Sequence, residues 1–237
     1  EQSKSSKPSF LIQVIRKIIL FFVKIVWSFA WRTSFIISVG IMIAVSYYFF
    51  NLKEFSSLLD ERSRGSVTLE NSAGEVFAWR GDNFAENLTA KNISPHLKNA
   101  ILATEDRRFY KHFGISPRGI ASAVYINIKE GRGPLSGHGG STITQQTAKL
   151  VCLGKPFTKS DWKSETAYEA SCRKSTVWRK LKEALYALSL EIKFSKDEIL
   201  TIYINRVFLG AGTRGFEAAA QRYFAKSAKF VNPSEAA

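Results

Sequence analysis

Residues 104–114 read TEDRRFYKHFG, so two adjacent carboxylates, Glu105 and Asp106, stand directly before the aromatic and histidine run Phe109, Tyr110, His112 and Phe113. A carboxyl group lined by aromatic rings loses hydration. That disfavours its charged form and can raise its pKa into the range of a general base or acid near neutral pH. The apolar run AILAT before the pair belongs to a helix that ends there, and the dipole of a helix disfavours a carboxylate at its C-terminus. The position therefore asks for a functional reason. The bland alternative is an exposed acid paired with Arg107 or Arg108.

Two further stretches carry chemistry. GGSTITQQTAK offers Ser141, Thr142, Thr144, Gln145, Gln146 and Lys149, a dense set of uncharged donors at an expected helix start behind two glycines. Helix starts of that kind take phosphate or sugar oxygens. Capping by Ser141 would account for one hydroxyl but not for two glutamines and a second threonine. The segment RKLKE, residues 179–183, sets Arg179 four residues and Lys180 three residues before Glu183, so one patch of a helix presents both signs. A solvated ion-pair face is the ordinary explanation of such spacing.

The elements that must position these groups are mostly helical. Ser94-Pro95 and Ser116-Pro117 each put a cap before a proline at the first helical position, and the second helix should stop at Gly131. Val177, Leu181, Leu185, Leu188 and Ile192 form a helical stripe around RKLKE. Ser195 to Glu198 and Asn232 to Glu235 read as capping boxes. The last of these opens a helix close to the end of the sequence, which suggests a fragment. SVTLE and EVFAW alternate around NSAG as a β-hairpin, and GRGPLSGHGGS and GAGTRG are glycine-rich joints.

The chain has 237 residues, with 34 Lys and Arg against 20 Asp and Glu, a net charge of +14. That excess calls for an anionic partner: nucleic acid, phospholipid or a phosphorylated substrate. With 45% apolar residues the chain can bury a core, which excludes the disordered class. Residues 33–52 hold no charged side chain, and about 20 apolar residues suffice for a helix to cross a bilayer. A cleaved signal peptide is the competing reading, but the bulky aromatics at residues 47–50 do not suit a small-residue cleavage site. Basic residues dominate residues 1–32, a flank that stays cytoplasmic and leaves everything after residue 53 facing outward. Within residues 10–31, Gln13, Arg16, Lys17 and Lys24 form a polar stripe, so this stretch is either an interfacial helix or the snorkelling end of one long helix. In an outward-facing domain Cys152 and Cys172 can pair; otherwise they are free thiols. Two cysteines and the scattered His96, His112 and His138 match no zinc spacing, so no metal site is expected.

Taken in order, EDRRFYKHFG, GGSTITQQTAK, RKLKE, DEILTIYINRVFLG and RGFEAAAQRYF resemble the five motifs of the family 51 glycosyltransferases, the peptidoglycan glycosyltransferase domains of class A penicillin-binding proteins and monofunctional transglycosylases. The resemblance runs from about residue 66 to the end. It implies a mainly α, lysozyme-like bilobed domain with a small membrane-proximal hairpin and an N-terminal transmembrane helix. Residues 53–93 would be linker and hairpin, and residues 94–237 the glycosyltransferase domain, truncated at its C-terminus.

The implied reaction is polymerisation of lipid II into β-1,4-linked glycan, with inversion and release of undecaprenyl pyrophosphate. By motif position Glu105 resembles the general base and Glu183 the second family glutamate. The resemblance makes Asp106, Phe109, His112, Ser141, Thr142, Gln145, Gln146, Lys149, Arg179, Lys180 and Asn205 substrate-binding residues. Phe157, Trp162, Phe208 and Phe216 become candidates to dip into lipid.

No cofactor is required by that chemistry, and assistance from a divalent cation, Mg or Mn, stays open. The implied partners are lipid II, the growing glycan, membrane lipids and other cell-wall synthesis proteins, with no nucleic acid. The implied location is the bacterial inner membrane, single-pass, with the catalytic domain extracytoplasmic. One departure is the long run between the TQQ helix and RKLKE, flanked by the two cysteines; a disulfide there could fix a flap that is mobile in the family. A lytic hydrolase and a non-catalytic membrane scaffold are the rival readings.

Overall fold

A computed structural model of the chain describes residues 10–60, 67–73, 76–80, 88–134, 136–137, 139–155, 157–158, 160–174, 176–211 and 213–237. Residues 1–9 of the basic segment, Ser66 and Glu75 of the hairpin, residues 81–87 of the expected linker, His138 and Gly212 lie outside the described residues. Ten helices are described: α1 (Phe10–Asn51), α2 (Phe55–Asp60), α3 (Pro95–Glu105), α4 (Pro117–Lys129), α5 (Ile143–Leu150), α6 (Glu165–Arg173), α7 (Val177–Lys193), α8 (Lys196–Arg206), α9 (Phe216–Phe224) and α10 (Pro233–Ala236). The one hairpin among the described residues pairs β1 (Val67–Glu70) with β2 (Val76–Arg80) antiparallel, Leu69 opposite Ala78. The mainly helical class expected from the sequence is what the chain adopts, and it is consistent with a lysozyme-like domain.

Two compact units divide at residue 44. In the first, α1 runs unbroken through residue 32, so residues 10–31 do not form a separate helix. The stretch Arg16–Asn51 is long and apolar enough to cross a membrane, with a mean hydropathy of 1.8 and an apolar window none of which is buried. The second unit, Val45–Ala237, begins inside the last turns of α1. There Ser189 Oγ donates to the Val45 carbonyl (3.0 Å), and Tyr48 packs edge-on against Tyr186. Leu88, Ala90 and Ile93 lie in the same core, so the stretch expected to be linker contributes structure to the helical domain.

That core forms around α8. Its residues Ile199, Leu200, Thr201, Ile202, Tyr203, Ile204 and Arg206 are buried on several sides, as befits a helix enclosed by others. α5 packs against both α7 and α8. It starts where it does because Thr142 caps it: Thr142 Oγ1 accepts from Gln145 N (3.1 Å) while Gln145 Oε1 accepts from Thr142 N (3.1 Å). The cap is therefore Thr142 and not Ser141. The boxes expected at Ser195–Glu198 and Asn232–Glu235 are both closed, and α4 ends at Glu130 and Gly131, the latter at φ +71°.

Candidate active site

Glu105 is the last residue of α3, and the extended segment leading into α5 runs beside it. The junction is held by Asp106. Its Oδ2 accepts from Ile143 N (3.1 Å), at the electropositive start of α5, and from His112 Nε2–H (2.9 Å). Asp106 is buried at this junction. Glu105 itself stays exposed, with Oε2 accepting from Gln146 Nε2 (2.8 Å) on α5. The expected aromatic lining is not supplied by Phe109, which is 1% exposed inside the core. Phe109 turns inward because it packs edge-on to Tyr110, beneath the Lys196 ammonium 4.5 Å from its ring.

Beside Glu105 opens a cavity of about 480 Å³, lined by Glu105 to Arg108, one face of α4 and residues 139–142. Arg118 and Ser122, one helical turn apart, line it from α4, with Arg107, Arg108 and Ser141 adjoining. Helical spacing from the Ser116-Pro117 cap could have found the α4 pair; the sequence reading did not.

On α7, Glu183 has a side chain only 1% exposed, and it pairs with the Arg179 guanidinium and with Lys180 Nζ (2.9 Å). This burial overturns the solvated-face explanation: an enclosed carboxylate needs its cations. Lys180 Nζ also donates to Ser141 Oγ (2.7 Å), and Ser141 lines the same cavity as Glu105. Lys149, at the end of α5, completes the group. Burial holds its ammonium below the usual lysine range, assisted by the Arg179 and Arg173 guanidinium groups and opposed by Glu105. Lys180 is lowered likewise, first by burial and then by Arg179 and Lys149. Glu105 thus lines the cavity itself, and the buried Glu183 is linked to its wall through Lys180 and Ser141.

A family model described as Transglycosylase matches residues 73–237. The chain belongs to the transglycosylase family. Penicillin-binding protein 1A of Aquifex aeolicus (strain VF5) is 34% identical over 199 residues, which is 84% of this chain and 24% of that protein. Penicillin-binding protein 1A of Neisseria cinerea is 36% identical over 199 residues, 84% of this chain and 22% of that protein. The chain spans about a quarter of the length of these relatives.

Within this transglycosylase domain the expected site residues divide into two groups. Glu105 and Ser141 line the cavity, Gln146 hydrogen-bonds Glu105, Lys180 joins Glu183 to Ser141, and Arg179 and Lys149 adjoin this group. Asp106 and Thr142 also line the cavity and, with His112 and Gln145, hold its junction, Thr142 Oγ1 donating to the Gly114 carbonyl (2.6 Å). Phe109 lies in the core, and Asn205 clamps the Leu88 main chain, donating to its carbonyl (2.7 Å) and accepting from its N–H (3.0 Å). Cys152 and Cys172 are paired, their Cα atoms 5.3 Å apart.

The apolar surface also differs from expectation. Phe157 and Trp162 pack on Tyr168, Phe216 packs on the core, and Phe208 lies half-exposed between Arg173 and Arg214. Val177 (82% exposed), Leu181 and Ile192 of the α7 stripe face outward, beside Trp178 at 65%, while Leu185 and Leu188 are half-buried, because the inward face is taken by Glu183, Tyr186, Ala187 and Leu190. Ile120, Tyr125 and Ile128 of α4 are exposed as well.

Proposed function

We propose that the chain is a peptidoglycan glycosyltransferase that polymerises lipid II into β-1,4 glycan, releasing undecaprenyl pyrophosphate. The observation that carries this reading is the side-chain network beside the cavity: the open Glu105 carboxylate held by Gln146 of α5, and the buried Glu183 paired with Arg179 and Lys180, the latter reaching Ser141 on the cavity wall. Glu105 takes the proton of the acceptor's 4-hydroxyl. The freed oxygen attacks the anomeric carbon of the donor, the carbon–oxygen bond to the pyrophosphate breaks, and the α-linkage becomes β by inversion. One base is sufficient, and no covalent intermediate forms.

Charge accumulates on the departing diphosphate, and fixed cations in a partly dry site stabilise it well. Arg179 adds a planar fork suited to phosphate oxygens. Glu183 holds Arg179 and Lys180 in place against their mutual repulsion. We assign no resident cofactor to this step: Asp106 and Glu183 are committed to His112, Ile143 N and the two cations, which leaves Glu105 to any Mg²⁺ or Mn²⁺. Activity in EDTA compared with added Mg²⁺ or Mn²⁺ tests that assignment.

The exposed apolar residues of α4 and α7 suit a domain that works against lipid, and α1 fits a membrane anchor. We infer a single-pass arrangement in the cytoplasmic membrane with the N-terminus inside, membrane lipids as a contact and other cell-wall synthesis proteins as partners. A lytic hydrolase would share the helical cleft and the glutamate but has no use for a cation cluster. Labelled lipid II, incubated with and without moenomycin, separates the readings: moenomycin-sensitive polymer is expected, and cleavage of finished glycan without polymerisation would refute the proposal.

A further inference from the structure

We propose that Arg118 of α4, with Arg107 and Arg108, forms an oxyanion subsite in the cavity beside Glu105, which holds a carboxylate or phosphate of the acceptor and so sets the acceptor against the base. The inference rests on the glycosyltransferase reading above and deepens it.

The three arginines come from two elements and meet on one concavity. Arg107 and Arg108 follow the end of α3, Arg118 stands in the first turn of α4, and all three line the cavity of about 480 Å³ that Glu105 lines. Among the described residues, no ion pair, hydrogen bond or ring contact engages any of their side chains. Of the two carboxylates in the same lining, Asp106 is taken up by His112 and Ile143 N, which leaves Glu105 against three guanidinium groups. Like charges gathered on a concave wall with so little compensation draw an anion to it. Guanidinium forks match the paired oxygens of a carboxylate or a phosphate.

α4 presents this charge on a fixed wall. Ser116 Oγ caps the helix by accepting from Gly119 N (3.2 Å), and Thr142 Oγ1, donating to the Gly114 carbonyl (2.6 Å), ties the segment before α4 to the start of α5. Gly140 lies so close to α4 that a Cβ on it would fall 2.7 Å from Ile120 Cα. The backbone on both sides of Arg118 is therefore set before substrate arrives, and binding has only side-chain rotamers left to order. Ser122, four residues on, lines the cavity from the same helix face. A helical serine commonly bonds the carbonyl one turn back, but Ser122 Oγ makes no such bond, so a hydroxyl donor is left beside the guanidinium groups.

This set lies apart in the chain from the cations assigned to the leaving diphosphate, which belong to α5 and α7. In chain growth the incoming lipid II is the acceptor, so KM for lipid II reports the acceptor side. It carries oxyanions in two places, the carboxylates of its peptide and its own diphosphate.

The test uses the purified full chain in vesicles, with ordinary lipid II and with lipid II whose peptide carboxylates are amidated, and records thermal unfolding of every variant. Arg118→Gln should raise KM for ordinary lipid II about fivefold, with kcat within about twofold and the melting temperature unchanged. Arg118→Lys should recover part of the loss, because it returns the charge without the fork. A bound carboxylate shows as a penalty that vanishes on the amidated lipid. A bound phosphate shows as an equal penalty on both lipids, with weaker calorimetric binding of inorganic pyrophosphate.

Unchanged KM for ordinary lipid II in both Arg118→Gln and the triple variant Arg107→Gln/Arg108→Gln/Arg118→Gln would overturn the proposal. So would a fall in kcat and thermal stability with KM intact, which marks a structural role. The soluble disaccharide-peptide and pyrophosphate also serve as calorimetric probes that need no turnover. Arg118-dependent binding of either by a chain that makes no polymer would uphold the subsite and defeat the glycosyltransferase reading instead.

Discussion

At the scale of single residues, the site is governed by charges held where water is scarce. Glu183 is enclosed, so Glu183→Ala leaves Arg179 unpaired, and that should cost about 3 kcal/mol of stability together with activity. Chemical denaturation with a parallel polymerisation assay checks both losses. Lys149 and Lys180 lie below the ordinary lysine value of 10.5. Because folding weakens their hold on the proton, stability from these groups rises as pH climbs through the lowered values, while the attraction for a diphosphate disappears over the same interval. The alkaline limb of kcat/KM should therefore fall before a free lysine would titrate, and Lys149→Arg should move it to higher pH. A pH profile from 7 upward reads this, and a limb that does not move contradicts it. Glu105, Glu183 and the basic residues beside them were legible in the sequence, since charge patterns at helical spacing survive any packing. The inward turn of Phe109 was not, because an aromatic residue in a short run suits a cleft and a core equally well.

The elements decide which of those charges meet. α5 sits between the two glutamates, and its start is fixed by Thr142 and by Asp106 reaching Ile143 N. Gly140, just upstream, leaves no room for a side chain: a Cβ there would lie 2.7 Å from Ile120 Cα and 2.8 Å from Ile120 N. Both are backbone atoms, so Gly140→Ala must separate this segment from α4. A loss of about 1–3 kcal/mol is expected, with Ser141 displaced from Lys180 and a raised KM; thermal unfolding and kinetics check it. The caps at residues 116, 195 and 232 were readable because a cap is local chemistry. The orientation of α7 was not, because an apolar stripe at helical spacing marks a contact without saying whether protein or lipid provides it. If lipid does, Val177→Ser/Trp178→Ser should reduce activity on vesicle-embedded lipid II several-fold while leaving activity in detergent within about twofold. Equal losses in both media would contradict that placement.

For the whole molecule, the proposed function would give the +14 charge and the long apolar helix one requirement, since a lipid-linked diphosphate presents both an anion and a bilayer. The long apolar helix was visible from composition, whereas the entry of Leu88, Ala90 and Ile93 into the helical core was hidden by long-range contacts to α8, such as Ala90 N–H donating to Thr201 Oγ1. The central claim remains the proton transfer at Glu105, and Glu105→Gln isolates it: the side chain is exposed and its amide keeps the size needed to meet Gln146, so folding is preserved. The most direct measurement is polymerisation of labelled lipid II by this variant against the unsubstituted chain, with thermal unfolding recorded on the same preparations. Loss of about 10²-fold or more in kcat at unchanged melting temperature is the expected result. Polymerisation at the unsubstituted rate would contradict the account.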